Sequence, residues 1–191
     1  MRCHKKLHQF VLGLLLGLLM SGCGGVEGVF LNGDFETGTL KFWSADSGAT
    51  IVETGDESHV HAGGATHDHD GSHAGQFGAT GSAGMLLVQA IGTRLEPGVT
   101  YELSAWIKVT VAGAGVSAPA LRVSREPQLG LALSEAKAAN AVALGWQKLT
   151  LALAVAEEDL AQPLYAGVTC ENFAGIVVVD DFAAATEAGG V

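Results

Sequence analysis

Two stretches of strict alternation constrain this chain more than any other feature. From Tyr101 to Val111, Tyr101, Leu103, Ala105, Ile107 and Val109 fall on one parity and Glu102, Ser104, Trp106, Lys108 and Thr110 on the other. From Trp146 to Val155, Leu149, Leu151, Leu153 and Val155 alternate with Lys148, Thr150, Ala152 and Ala154. Side chains of an extended strand point to opposite faces in turn, so this pattern predicts strands buried on one face and wet on the other. Shorter apolar segments at Met85–Ala90, Leu121–Ser124, Leu129–Leu133, Tyr165–Cys170 and Ile176–Phe182 extend the series. Glu96-Pro97-Gly98 punctuates it with a tight reversal. About eight short strands joined by turns predict an all-β antiparallel sandwich or jelly roll. The one helix candidate, Ser134–Leu144, is Ala-rich and lacks a long amphipathic stripe, so a linker between strands reads equally well.

The N-terminus is of another kind. Arg2, Lys5 and Lys6 precede an eleven-residue apolar run, Phe10 to Met20, followed by Ser21, Gly22 and Cys23. This is the layout of a secretory signal over residues 1–22, and the run falls short of the about 20 residues that span a bilayer. Leu19-Met20-Ser21-Gly22-Cys23 resembles the bacterial lipobox, which implies cleavage before Cys23 and lipidation of its sulfur; a plain signal with an incidental cysteine is the alternative. The expectation is an exported protein anchored in a bacterial membrane by lipid, with residues 23–28 as a short tether and a sandwich domain over 29–187.

Beyond the leader, 169 residues hold seven Lys and Arg against twenty Asp and Glu, a formal charge of −13. Nucleic-acid affinity comes from cations that neutralise phosphates, so this balance argues against such a partner. With Cys3 removed and Cys23 acylated, Cys170 is the one remaining thiol; an internal disulfide is excluded and a buried structural thiol is expected.

Residues 55–84 carry eight glycines, five histidines and no Lys or Arg, the composition of an irregular loop or disordered insertion. His59, His61, His67, His69 and His73 lie within fifteen residues there, and imidazoles so gathered suit Zn²⁺ or Cu²⁺. Their spacing matches no structural zinc site, and a Gly-rich loop loses entropy on closing, so an adventitious site is the competing reading.

Four pieces in order resemble a known family. They are Leu31-Asn32-Gly33-Asp34-Phe35-Glu36-Thr37-Gly38 with Phe42-Trp43, Leu95–Lys108 with its Tyr101-Glu102-Leu103-Ser104-Ala105-Trp106 strand, Gly145-Trp146-Gln147-Lys148-Leu149-Thr150, and Val177-Val178-Val179-Asp180-Asp181-Phe182. Together they are similar to the galactose-binding-like jelly rolls of carbohydrate-binding modules of the family 4/9/22 group. The His/Gly insert has no counterpart in that pattern. The resemblance implies binding of poly- or oligosaccharide, and a structural Ca²⁺ held by Asp34 or Glu36 near the start and Asp180 or Asp181 at the end. Asp180 shares strand parity with Val178 and Phe182, so a core on that side would bury its carboxylate, which is costly without a partner or cation. The alternative is that Asp180 caps a strand end in water.

For sugar, Trp106 and Trp146 lie on the polar parity of their strands, with Glu102 beside the first. Pyranose C–H faces stack on aromatic rings while polar neighbours take the hydroxyls. A tryptophan tucked under a loop is the competing reading, and Trp43 is expected in the core. No Gly-x-Ser-x-Gly, His-Glu-x-x-His or phosphate-loop motif is present, and every histidine beyond the leader lies in the 55–84 segment, so no catalysis is expected. The leading expectation is a non-catalytic lipoprotein that binds carbohydrate. Its rivals are an exported metal-binding lipoprotein using the His-rich loop and a structural or adhesive surface lipoprotein without a glycan ligand.

Overall fold

A computed structural model of the chain describes residues 28–45, 48–54, 73–79, 85–112, 117–138, 145–171 and 175–186. Ten strands are described: β1 (Ser44–Ala45), β2 (Thr50–Glu53), β3 (His73–Ala79), β4 (Met85–Ala90), β5 (Thr100–Ala112), β6 (Ala120–Ser124), β7 (Ala132–Lys137), β8 (Gln147–Ala154), β9 (Tyr165–Cys170) and β10 (Gly175–Thr186). They form two five-stranded antiparallel sheets, in the orders β1-β4-β9-β6-β7 and β2-β3-β10-β5-β8. This is the all-β sandwich that the alternation predicts.

The register fixes which face of each sheet is dry. Leu103 pairs with Leu151 and Ala184, and Ile107 with Gln147 and Val179, which places one parity of β5 in the core with its partners. Tyr101, Leu103, Ala105, Ile107 and Val109 are all buried, whereas Glu102, Lys148, Thr150 and Ala152 are exposed. The facing sheet supplies Leu87, Leu121, Val123, Ala166 and Val168. Truncating a buried leucine of this kind, such as Leu103→Ala, costs about 2–5 kcal/mol.

The segment before β2 seals one end of the sandwich. Phe30, Phe35 and Trp43 pack with Phe182 of β10, ring centroids lying 4.5 Å (Trp43–Phe182) to 6.2 Å (Phe35–Phe182) apart. Trp43 is thus the core residue expected. Buried Gln89 acts as a substitute strand for Leu31: its Nε2 donates to the Leu31 carbonyl and its Oε1 accepts the Leu31 N–H, both at 2.8 Å. Arg94 Nη1 donates to the Val29 carbonyl at 2.8 Å. The opening loop also touches β10 backbone to backbone, Phe182 N–H donating to the Gly33 carbonyl at 3.0 Å. A Cβ on Gly33 would lie 2.4 Å from the Phe182 carbonyl oxygen, so only glycine admits that approach.

Three expectations need correction. The irregular segment 55–84 contains a strand at its C-terminal end, β3, hydrogen-bonded between β2 and β10. The helix candidate at Ser134–Leu144 begins inside a strand, β7, which Ala132–Lys137 forms by pairing with β6; residues 139–144 lie outside the described residues. The strand expected at Leu129–Leu133 starts only at Ala132, because Leu129 (φ 52°) takes a left-handed turn conformation with its side chain buried. Cys170 is the buried thiol expected, pushed up to about 12 by burial.

Candidate functional site

The outer face of the β2-β3-β10-β5-β8 sheet is built by the parity of β5 that the core rejects. Trp106 stands mid-strand there, opposite Lys148 of β8 and Asp180 of β10. The ladder ends with Ile107 opposite Gln147, so Trp146, just before β8, falls across from Lys108. Lys108 Nζ lies 5.9 Å from the Trp146 ring centroid. The two tryptophans the sequence singles out therefore share one sheet on adjacent strands, which alternation alone does not reveal. The four side chains form a checkerboard in which each tryptophan has a lysine across the ladder and another two residues along its own strand.

Along β5 away from Trp106 the face continues through Ser104, opposite Thr150, to Glu102, opposite Ala152 and Ala185. Four residues of strand separate Glu102 from Trp106, about 13 Å. The structure thus brings Trp106 and Trp146 together and sets Glu102 apart at the far end. On the other side of β10, Gln76 of β3 pairs with Val178 and Thr50 and extends the polar border.

Asp180 is the residue of this face whose surroundings the sequence misreads. Val177 and Val179 face the core with Val109 and Ile107, so Val178 and Asp180 point outward. A bulge between Asp180 and Ala183, with Asp181 at φ 51°, then shifts the register and lets Phe182 turn inward. Asp180 does not share a side with Phe182, yet it is buried all the same, at 6% exposure. Burial first, then the neighbouring charge of Asp181 and, more weakly, Glu36 and Asp34, push its carboxyl up to about 8; the Asp181 N–H, donating to Oδ1 at 2.8 Å, offsets part of this.

The same surroundings bear on the implied cation site. Asp34, Glu36, Asp180 and Asp181 are brought near one another by the contact of the opening loop with β10, as the pull of three of them on Asp180 records. Their donors are all carboxylate oxygens, the kind a hard cation such as Ca²⁺ takes. Glu36 is also committed elsewhere, its Oε1 accepting the His73 N–H at 2.9 Å and its Oε2 lying 3.5 Å from His73 Nδ1. Asp34 Oδ1 accepts the Glu36 N–H at 3.3 Å. Among the described residues, no group of three or more His, Cys, Asp or Glu side chains gathers into a metal-holding set. The donor chemistry fits a calcium ion, and completing its shell needs backbone carbonyls or water besides these acids. Of the histidine cluster, His73 opens β3 beside Glu36; His59, His61, His67 and His69 lie outside the described residues, as does Cys23. Among the described residues no helix is long and apolar enough to cross a membrane.

Comparison with known proteins adds to this geometry. A family model described as a carbohydrate binding domain matches residues 27–123. Among solved structures, a CBM61 module in complex with β-1,4-galactotriose shares 23% identity at a TM-score of 0.55, over 83% of this chain and 98% of that one. The CBM22-1 xylan-binding domain of Paenibacillus barcinonensis Xyn10C shares 19% identity at a TM-score of 0.52, over 82% and 93%. A cyclase from Fischerella sp. TAU is similar at a TM-score of 0.59 and 14% identity, over 84% and 96%. Against larger proteins the chain spans a fraction: 21% of the enzymatically active domain of a bacteriophage CBA120 tailspike and 26% of a GH51 arabinofuranosidase. No curated protein matches the chain.

Proposed function

The chain belongs to the carbohydrate-binding domain family, and from that premise we propose that its Trp106 face binds an oligosaccharide without catalysis while a lipid on Cys23 holds the domain at a bacterial membrane. The observation that carries the glycan reading is the placing of Trp106 and Trp146 side by side on the outer face of one sheet. Half-buried aromatic rings there offer apolar platforms to sugar C–H faces, and Lys108, Lys148 and Thr150 surround them with polar groups. The modules solved with β-1,4-galactotriose and described as xylan-binding support a β-linked polysaccharide as the class of ligand.

Absence of catalysis rests on what the face lacks in chemistry. Among the described residues, the carboxyl beside a tryptophan is that of Asp180, buried next to a backbone bulge, and Glu102 stands about 13 Å along the strand. Two carboxyls flanking one glycosidic bond are not assembled there among the described residues. The similarity to a cyclase is at 14% identity and concerns the fold, which does not transfer an activity.

Calcium, in this reading, is structural: bound by Asp34 or Glu36 with Asp180 or Asp181, and completed by backbone carbonyls or water, it would offset the repulsion of these acids and pin the opening loop to β10. Cys23 bears a thioether lipid, and an acylated amine would give the second chain that stable anchoring needs. The tether of residues 23–28 then holds the sandwich close to the bilayer.

The glycan reading is tested on an array of plant and bacterial polysaccharides with the wild type and Trp106→Ala. Binding by the wild type that falls at least tenfold in the variant, at equal melting temperature, is expected. An array on which the wild type binds nothing refutes it. Anchoring is tested by Cys23→Ser, which should move the protein from the membrane fraction to the soluble one.

A further inference from the structure

Among the described residues, five that are not glycine take a positive φ, and four of them have a reason inside the protein. Asn32 (φ 53°) and Asp181 (φ 51°) are of the types that tolerate the left-handed region. Phe35 (φ 56°) and Leu129 (φ 52°) turn their side chains fully into the interior, so burial offsets the strain. Phe42 (φ 75°) has neither reason, for its side chain is 51% exposed. The Trp43 N–H donates to the Leu40 carbonyl at 3.0 Å and closes a turn over Leu40–Trp43. Phe42 holds the third position of that turn, the one that favours glycine when φ is positive. Among the described residues the exposed large apolar side chains are Phe42, Leu131 and Leu133, and of these Phe42 alone bears a ring.

Deepening the glycan reading, on which it rests, we propose that the Phe42 ring is a second sugar-stacking platform, on the segment that seals one end of the sandwich, and that it takes a ring of a neutral polysaccharide. Backbone strain that glycine would avoid persists where the surrounding structure enforces it, and binding sites are where such strain is kept. The enforcement is visible around this turn. Asn32 Nδ2 donates to the Thr39 carbonyl at 2.8 Å, and Trp43 Nε1 donates to the Asn32 carbonyl at 2.9 Å. Trp43 itself packs on Phe35 and Phe182. The turn is thereby held from both sides, and an aromatic ring on a held turn loses little freedom when a sugar settles on it.

The surroundings set the class of ligand. Sugar C–H faces stack on aromatic rings while their hydroxyls seek polar neighbours. Lys41 Nζ, 4.8 Å from the Phe42 ring centroid, puts a donor beside the platform, and Thr37 and Thr39 are exposed on the same loop. Asp34 and Glu36, also exposed on that loop, disfavour an acidic polysaccharide and an anionic lipid surface alike. Two platforms on one domain engage a long polysaccharide at two points, whereas a trisaccharide engages one.

The test measures binding of the full chain to β-1,4-galactan and xylan, and to their trisaccharides, in the wild type, Phe42→Gly, Phe42→Tyr and Trp106→Ala. Phe42→Gly should bind the polysaccharide about fivefold or more weakly, while trisaccharide binding, held by the Trp106 face, stays within about twofold. Its melting temperature should equal or exceed that of the wild type, because glycine adopts this turn without strain. Phe42→Tyr keeps the ring and should keep the affinity. Polysaccharide affinity unchanged in Phe42→Gly yet lost in Trp106→Ala overturns the second platform and keeps the glycan reading. Affinity lost in Phe42→Gly and untouched by Trp106→Ala keeps this platform and removes the Trp106 face. A lowered melting temperature in Phe42→Gly, or weakened binding in Phe42→Tyr as well, assigns the ring to the turn's structure and overturns the platform. Vesicles of phosphatidylcholine and phosphatidylglycerol that retain a Cys23→Ser chain, and lose it when Phe42→Gly is added, overturn it in favour of a bilayer contact. Binding of neither polysaccharide by the wild type overturns the platform as stated, and an array without any bound glycan takes the glycan reading with it.

Discussion

The two outer faces of the sandwich solve the same problem in opposite ways. On the β1-β4-β9-β6-β7 sheet, Arg122 is enclosed by its own protein: it pairs with Glu135 on β7 and Glu171 after β9, and its Nη1 donates to the Leu129 carbonyl at 3.3 Å. Leu129 is buried in the turn after β6, and Ser124 and Val88 on the same outward parity are buried with it. Charges there are matched and the surface is partly roofed by the chain. On the other sheet, aromatic rings and lysines alternate beside the buried carboxyl of Asp180. The difference separates a face that stabilises the fold from one whose chemistry is directed outward, and it assigns substitutions on each to a different measurement.

The largest effect is expected from Gly167→Ala on the arginine face. A Cβ at Gly167 would lie 2.0 Å from the Leu87 backbone oxygen, so β4 and β9 must move apart in the middle of their ladder. A loss of about 3 kcal/mol or more, read by denaturant melts, is expected. Glycan affinity per folded molecule should stay unchanged. A lost affinity at full stability would break the division between faces.

Asp180 carries a structural burden on the tryptophan face, and pH exposes it. Its folded carboxyl titrates near 8 and an unfolded one near 3.8, so the folded state holds a proton that the unfolded state has lost. Stability is therefore full below about pH 4 and declines as pH rises toward 8, by several kcal/mol in calcium-free buffer. Asp180→Asn should flatten that slope. Added calcium should also flatten it if the acids hold the ion; a melting temperature indifferent to EDTA and to calcium at pH 8 removes the calcium proposal.

Smaller still is Trp106→Ala, at least tenfold in glycan affinity, or about 1.4 kcal/mol, with little change in melting temperature. Least is Arg122→Ala, which removes the Arg122 partner of Glu171 and leaves Glu135 with Lys137 alone, and should cost about 1 kcal/mol of stability with no change in binding.

Much of this architecture is legible in the sequence because burial writes itself as parity. β5, β8 and β9 lie within a residue or two of the apolar stretches, β5 and β8 because each has one dry face and one wetter face, β9 because it is buried on both. The missed strand, β3, shows why the rest was hidden. Its core neighbours are small by necessity: a Cβ on Gly75 would sit 3.1 Å from the Phe35 ring that the opening loop lays across it. A glycine required by tertiary packing reads as a loop when seen alone. The bulge at Asp180 is hidden for a related reason, because a left-handed aspartate leaves no periodic trace, and parity counted through it places Phe182 and Asp180 on one side. Of the candidate site, the tryptophans were visible as aromatics on polar parity. Their adjacency was not, because register between β5 and β8 is set by the fold and not by either strand.

The central claim, that one face binds and the other does not, is tested most directly by NMR during titration of the intact domain with the polysaccharide that binds it. The account predicts that the indole N–H signals of Trp106 and Trp146 and the amides of Lys108 and Lys148 shift in proportion to occupancy, while those of Arg122, Leu129 and Glu135 stay fixed. Shifts centred on Arg122 and Leu129, with the two indoles unmoved, would contradict it.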